Sequence, residues 1–256
     1  MARVLIVAGS DPVAGAGIQA DLKVVTAWGV YGMTAITAIT VQDTGSVFRV
    51  APLPAELVIA QMRACLEDIG ADCIKLGMLA TGEITRAVAG LLAAYPDIPL
   101  VADPVLAGTG GGILLEPGGL ESYQKELLPR VTLLTPNLPE AAALTGRSVT
   151  TMDQMQAAAR QLRGMGAGAV LLKGGHLDGE MASDWLETGT ERRLFQDRRL
   201  PGPGFHGTGC TLASAIAAGL AKGLSVVEAV TAGRLWLRDA MEHSLSLGAG
   251  QKLLWR

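Results

Sequence analysis

The strongest constraint on this chain is an alternation. Short, continuous apolar runs recur along it, each followed by glycine or a polar turn and then by a segment with helical periodicity. Runs such as Val4–Ala8, Cys73–Leu76, Leu100–Ala102, Leu133–Thr135 and Ala169–Lys173 are strand-length and apolar on both faces, the pattern of strands covered on two sides. Met33–Val41, rich in Thr, Ile and Ala, reads as a further strand. Between them Ile18–Trp28, Pro54–Asp68, Glu83–Tyr95, Leu120–Leu128, Leu138–Leu144 and Met152–Met165 read as helices, and Thr211–Lys222 and Val226–Ser244 follow near the end. Asp184–Glu187 and Arg192–Phe195, joined across Thr188–Glu191, read as a hairpin. The expected fold is therefore α/β, a mostly parallel central sheet with helices on both faces plus a small hairpin. No linker, repeat or low-complexity tract divides residues 1–256, so one domain is expected.

Glycine supplies 33 of the 256 residues, about twice its usual share. The excess collects after the strands, at Gly9, Gly15 and Gly17, Gly77, Gly108 and Gly110 to Gly112, Gly174 and Gly175, and Gly207 and Gly209. In open α/β sheets ligands bind beyond the carboxyl ends of the strands, so these loops should form one extended site. Bulk properties exclude several functions. The net charge is −3 with no basic stripe, and aromatics are 4% of residues, which argues against a nucleic-acid partner. No apolar run is long enough for a membrane span. The apolar start of the chain has strand length and lacks a signal-peptide pattern, and three cysteines form no metal or disulfide pattern; a cytoplasmic location is expected. Cys65 and Cys73 read as core residues.

Gly204–Ala215, GFHGTGCTLASA, is the most suggestive stretch. A glycine-rich turn opens directly into an Ala-rich helix, and the first amides of a helix lack internal partners and favour an anion. Cys210 stands at that point, as a nucleophile, as a proton-handling group beside a phosphate, or as a small core residue. Gly15–Ala20 fits G-x-G-x-x-A, but Ser10 to Ala14 separate it from its strand and Asp43 lies too far on for a ribose contact. Asp21, a turn beyond Gly17, is either an exposed first-turn acid or a ligand acceptor. Gln42 ends its strand with an amide that donates and accepts at once, suited to an amino group beside a ring nitrogen. Asn137 and Glu140 share a helical face and with Asp103 suit a hydrated Mg²⁺; taken alone, their spacing reads first as an N-terminal capping box. Lys173 reads as a snorkelling surface lysine or a phosphate-neutralising charge, His206 as a partner for Cys210 without a third orienting group, and His176 and His243 as ordinary polar residues.

Taken together, AGSDPVAGAGIQADLK, GVYGMTAITAITVQDT, KLGML, DPV, TPNLPEAAALTG, VLLKGGHL and HGTGCTLASA resemble, in order and over nearly the whole chain, the hydroxymethylpyrimidine/phosphomethylpyrimidine kinases of thiamin biosynthesis, within the ribokinase-like superfamily. The resemblance implies ATP-dependent phosphorylation of 4-amino-5-hydroxymethyl-2-methylpyrimidine and then of its monophosphate, with Mg²⁺, in a homodimer. It implies that Gln42 and Asp21 meet the pyrimidine beside Gly9, with Met78 and Val105 as apolar walls. Asn137, Glu140 and Asp103 would serve the Mg²⁺–phosphate end, with the metal held by Asp103 and Glu140 through water, and Lys173 the nucleotide. Gly207, Thr208 and Gly209 would supply anion-hole amides and Cys210 the general base. A helix amino terminus can bring a thiol to about 3.5–7.5, so a thiolate near neutrality is expected. A vitamin B6 kinase of the same superfamily and a non-catalytic metabolite-binding module are the alternatives. Two stretches depart from the family: Leu106-Ala107-Gly108-Thr109-Gly110 replaces a Lys-Ser-Gly stretch, and Gly204-Phe205 replaces an Asn-Thr pair.

Overall fold

The computed structural model describes residues 1–256 except 108–113, 117, 176, 178 and 203. Gly108, Thr109, Gly110 and the glycines after them, and His176, therefore lie outside the described residues. Nine strands form one sheet in the order β3-β2-β1-β4-β5-β6-β7-β8-β9. Six of them, β1 (Arg3–Ser10), β2 (Tyr31–Gln42), β4 (Cys73–Leu76), β5 (Leu100–Ala102), β6 (Leu133–Leu134) and β7 (Ala169–Gly174), run parallel. The hairpin β8 (Met181–Glu187) and β9 (Arg192–Arg198) continues this sheet antiparallel from β7 and forms one edge of it.

The apolar runs dictate the layering. In β1 Val4, Ile6 and Ala8 face one way and Leu5 and Val7 the other, all buried. The first face packs on α1 (Gly17–Ala27), α7 (Thr208–Ala221) and α8 (Val226–Glu242); the second on α2 (Ala55–Asp68), α3 (Gly82–Leu92), α5 (Leu138–Thr145) and α6 (Met152–Gly164). Helix α7 is buried from Thr211 to Gly219 between sheet and α8, which accounts for its alanines. A Cβ on Gly233 would lie 3.0 Å from Ile216, so small residues let α7 and α8 approach closely.

Three elements differ from expectation. Val47–Pro52, left unassigned by sequence, is β3, antiparallel to β2; both its faces are largely open, so no apolar face marks it. The helix expected at 120–128 is one turn, α4 (Gly119–Ser122), then a π-turn over Tyr123–Leu127 and a 3-10 turn over Leu128–Arg130, where Pro129 interrupts regular bonding. Helix α7 starts at Thr208, earlier than expected, because Gly207 takes φ +78° and turns the chain at once. A short parallel pair, β10 (Phe205–His206) with β11 (Lys252–Leu253), stands apart from the main sheet.

Candidate active site

Two helix amino termini meet beyond the carboxyl ends of the strands. Neither α1 nor α7 has a side-chain cap. In α7 the first internal bond runs from Thr211 N–H to Gly207 O at 2.9 Å, leaving the amides of Thr208, Gly209 and Cys210 outside the helix's own bonding. A Cβ on Gly207 would fall 1.9 Å from Gly15 O, so this turn presses against the β1–α1 loop and tolerates no side chain. Gly209 backs onto a charge pair: a Cβ there would sit 3.0 Å from both Asp103 Oδ2 and Lys173 Nζ. Phosphate-sized anions are favoured at such a place by the dipole, the free amides and the adjacent ammonium.

Lys173 is not a snorkelling surface residue. Its side chain is 16% exposed and Nζ donates to Asp103 Oδ1 at 2.8 Å; Thr135 Oγ1 donates to the same oxygen at 3.0 Å. Burial favours loss of the ammonium proton, but Asp103 and Glu140 reverse this and hold Lys173 above its ordinary range. Asn137 and Glu140 form the capping box, with Glu140 N–H donating to Asn137 Oδ1 at 2.9 Å and Asn137 N–H to Glu140 Oε2 at 2.7 Å. The carboxyl of Glu140 is nonetheless part of the charge cluster: burial pushes it up to about 7, against the pull of Lys173 and with the repulsion of Asp103. Asp103 is thus the ion-pair partner of Lys173, and Glu140 lies in the field of both. Among the described residues no group of three or more His, Cys, Asp or Glu side chains is arranged as a metal site. Carboxylate oxygens such as those of Asp103 and Glu140 are the kind of donor that an ion keeping its waters would take, as Mg²⁺ does.

At the other end, Gln42 is half-buried and closes β2 beyond a register shift between Val41 and Gln42; such a bulge re-aims a side chain. Met78 and Val105 belong to one small apolar cluster with Ala38 and Ala80. Gly9 adjoins it, since a Cβ there would lie 2.3 Å from Met78 Cε.

Three sequence readings are corrected. Asp21 is neither an exposed acid nor open to a ligand. It is fully buried, accepts from Lys75 Nζ at 2.7 Å on Oδ2 and from Ser214 Oγ at 2.7 Å on Oδ1, and so has both oxygens engaged within the protein. His206 pairs with Asp11 Oδ2 at 3.0 Å, not with Cys210. Asp11 was missed, as was Lys75. Asp11 accepts from Val13 N–H at 3.0 Å, Gly15 N–H at 3.1 Å and Ala16 N–H at 2.8 Å, which shapes the whole β1–α1 loop. Burial opposes its charge, but the bonds from His206, Ala16 and Val13 hold its carboxyl below the usual range. A lysine in the middle of the apolar run CIKL was the available signal for Lys75. Third, the Cys210 thiol is not acidified. Burial pushes it up to about 11; Lys75 pulls down, Asp21 and Asp103 push up, and the Gly17 N–H pulls down. The helix termini are outweighed by desolvation.

A direct test of the turn is Gly209→Ala. The added methyl must displace Asp103 and Lys173 by a few tenths of an ångström, and phosphoryl-transfer turnover should fall about tenfold with little change in melting temperature. Unchanged turnover would reduce the GTGC turn to a helix start.

A glycine turn with free amides, a carboxylate-held lysine and a thiol meet at the carboxyl edge of a parallel sheet, an arrangement suited to handling a phosphate in an α/β protein. A phosphomethylpyrimidine kinase family profile matches residues 11–255. The hydroxymethylpyrimidine/phosphomethylpyrimidine kinase of Streptomyces coelicolor is 46% identical over 247 residues, covering 96% of this chain and 91% of that one. The structure of Clostridium difficile phosphomethylpyrimidine kinase superposes with a TM-score of 0.83 at 38% identity, covering 94% of this chain and all of the other. That of the Staphylococcus aureus pyridoxal kinase in complex with AMP-PCP and pyridoxal gives 0.91 at 35%, covering 100% and 93%. The chain belongs to the phosphomethylpyrimidine kinase family, and its fold is ribokinase-like.

Proposed function

We propose that this chain, acting as one domain, transfers the γ-phosphoryl group of ATP to the hydroxyl of 4-amino-5-hydroxymethyl-2-methylpyrimidine and then to the resulting monophosphate, in thiamin biosynthesis. The observation that carries the reading is the juxtaposition at Gly209: free α7 amides on one side, the Asp103–Lys173 pair on the other. Family membership supports the substrate, and the AMP-PCP bound by a relative of the same fold supports ATP as donor.

In this reading the amides of Gly207, Thr208 and Gly209 and the ammonium of Lys173 hold the transferring group and its nucleotide, with Asn137 alongside. Phosphoryl transfer needs such positioning and charge neutralisation more than covalent chemistry. Asp103 and Glu140 would hold Mg²⁺ through water, and the ion would supply charge neutralisation at the phosphates. Gln42 reads the amino group and ring nitrogen, with Gly9, Met78 and Val105 bounding the ring. Asp21 acts indirectly, by keeping the ammonium of Lys75 in place near Cys210. Cys210 stands beside the incoming oxygen; its thiolate, the minor form near neutrality with the thiol pushed up to about 11, takes the hydroxyl proton in the first step, and the second step needs no base. A second copy of the chain would dock on the exposed apolar side chains of β2 and β3, where Ile39, Val41 and Phe48 are 44%, 52% and 66% exposed. Among the described residues no helix is long and apolar enough to cross a membrane.

The test is ATP consumption with the pyrimidine alcohol, its monophosphate and pyridoxal as acceptors, with product masses. The first two should be phosphorylated in turn. In Gln42→Leu the ring edge loses its partner, and KM for the alcohol should rise by the equivalent of about 1–3 kcal/mol while KM for ATP holds. Preferential use of pyridoxal, or equal shifts in both KM values, would overturn the assignment.

A further inference from the structure

The two ends of the proposed site sit on different elements, and the chain's last segment ties them together. After α8 the chain folds back on itself: Leu245 N–H donates to Leu253 O at 2.8 Å and Leu253 N–H to Leu245 O at 2.9 Å. The tip of the loop so closed docks on the β2–β3 turn, two residues beyond Gln42. Gly250 N–H donates to Thr44 Oγ1 at 3.0 Å and Gln251 N–H to Thr44 O at 3.0 Å. The fit is close, because a Cβ on Gly250 would lie 2.4 Å from Thr44 O and one on Gly248 2.4 Å from Thr44 Oγ1. The turn itself is held by Asp43 Oδ1, which accepts from Gly45 and Ser46 N–H at 2.8 Å each.

The same segment then reaches the phosphate end. Lys252 N–H donates to Gly204 O at 3.1 Å, and Lys252 and Leu253 pair in register with Phe205 and His206, immediately before Gly207. His206 binds Asp11, the organiser of the β1–α1 loop, and Leu253 packs where a Cβ on Gly15 would be, at 2.7 Å. One loop of chain therefore contacts the turn after Gln42, the strand leading into the anion hole, and the loop that backs it.

We propose that Leu245–Leu253 is a positioning strap, with Thr44 as its anchor, that fixes the acceptor-binding end of the site relative to the anion hole. This rests on the reading of Gln42 and of the GTGC turn given above. A strap of this kind acts on where the acceptor oxygen stands relative to the phosphoryl group, and not on nucleotide binding. Misplacement by about an ångström costs on the order of 100-fold in rate.

The test uses the full chain with Thr44→Val, Thr44→Ser and Gly250→Val. Gly250→Val should lower kcat with the pyrimidine alcohol on the order of 100-fold, leave KM for ATP within about twofold, and speed amide exchange at both residues 43–46 and 205–206. Thr44→Val, which removes one acceptor, should lose roughly fivefold, and Thr44→Ser, which keeps it, should match the parent. Exchange needs no substrate, and the parent's own acceptor use is measured alongside, so a wrong acceptor assignment is seen separately from a failed strap. The proposal is overturned by full activity in Gly250→Val, by a parallel rise in KM for ATP, or by exchange that changes at one end alone. If Gly250→Val does not fold, Thr44→Val and Thr44→Ser decide, and equal activity in that pair overturns it.

Discussion

Lys75→Met should destabilise the protein by about 3–5 kcal/mol, the usual cost of removing one partner of a buried ion pair. Lys75 and Asp21 are both fully buried, 2.7 Å apart, in the layer between β4, α1 and α7. The lysine sits in a fitted slot, since a Cβ on Gly77 would lie 2.9 Å from its Nζ. Burial alone would strip its proton; Asp21 above all, then Cys210 and Asp103, hold it on and raise it beyond its ordinary range. Burial already holds the Asp21 carboxyl above its usual range even beside Lys75; methionine fills the same space but leaves Asp21 only the Ser214 hydroxyl, so that it must take up a proton or stay charged and dry. For a chain of this size the loss corresponds to a fall in melting temperature on the order of 10 °C. The double variant Asp21→Leu/Lys75→Met removes both charges and should recover most of it, because well-packed apolar pairs replace buried ion pairs at little cost. Thermal or urea unfolding of the two variants measures this. A loss below about 1 kcal/mol for Lys75→Met would mean that the pair carries no net charge interaction.

Cys210→Asp should separate the two phosphorylation steps. The charged groups around position 210 are Lys75, Asp21, Asp103 and Lys173, two of each sign. A neutral thiol leaves this balance intact, and with the thiol pushed up to about 11 it is neutral at physiological pH. A carboxylate there tips the site negative. The monophosphate acceptor carries about −1.5 to −2 charge near neutrality and needs no base. Two unit charges 4 Å apart interact by about 4 kcal/mol at an effective dielectric of 20, so the second step should fall about 1,000-fold. The alcohol step gains a base and should be largely kept. With the native thiol the sign of the pH dependence follows from the same shift. The thiolate fraction grows tenfold per unit up to about 11, so kcat/KM for the alcohol should climb through pH 7–9. For the monophosphate it should level off above the acceptor's second pKa, about 6. Equal slowing of both steps in Cys210→Asp would sink the charge argument.

The sequence by itself determined the layers and the order of the sheet's building blocks. A run such as Val4–Ala8 is apolar at every position, and only a strand covered on two faces buries it, which forces helices onto both sides. It also located the ends of the strands, because glycine collects where backbone must approach closely. The glycine turn into α7 was legible for the same local reason: Gly207, Gly209 and the following helix are neighbours in the chain. Asn137 and Glu140 formed the capping box their spacing foretold, since capping is a contact across three residues.

Tertiary structure alone decided what depends on burial and on distant partners. Asp21 meets Lys75 and Ser214, 54 and 193 residues away, so an acid that reads as a first-turn residue became one half of a buried ion pair. His206 turned to Asp11, 195 residues away, and not to Cys210 one turn on. The Cys210 thiol lies at two helix termini yet is raised, because desolvation outweighs the dipoles, and desolvation is not written in local sequence. The strap at Leu245–Leu253 was invisible for a further reason. Apart from the Thr44 hydroxyl it is held by backbone amides and carbonyls, which nearly every residue carries, so composition and periodicity contain no mark of it.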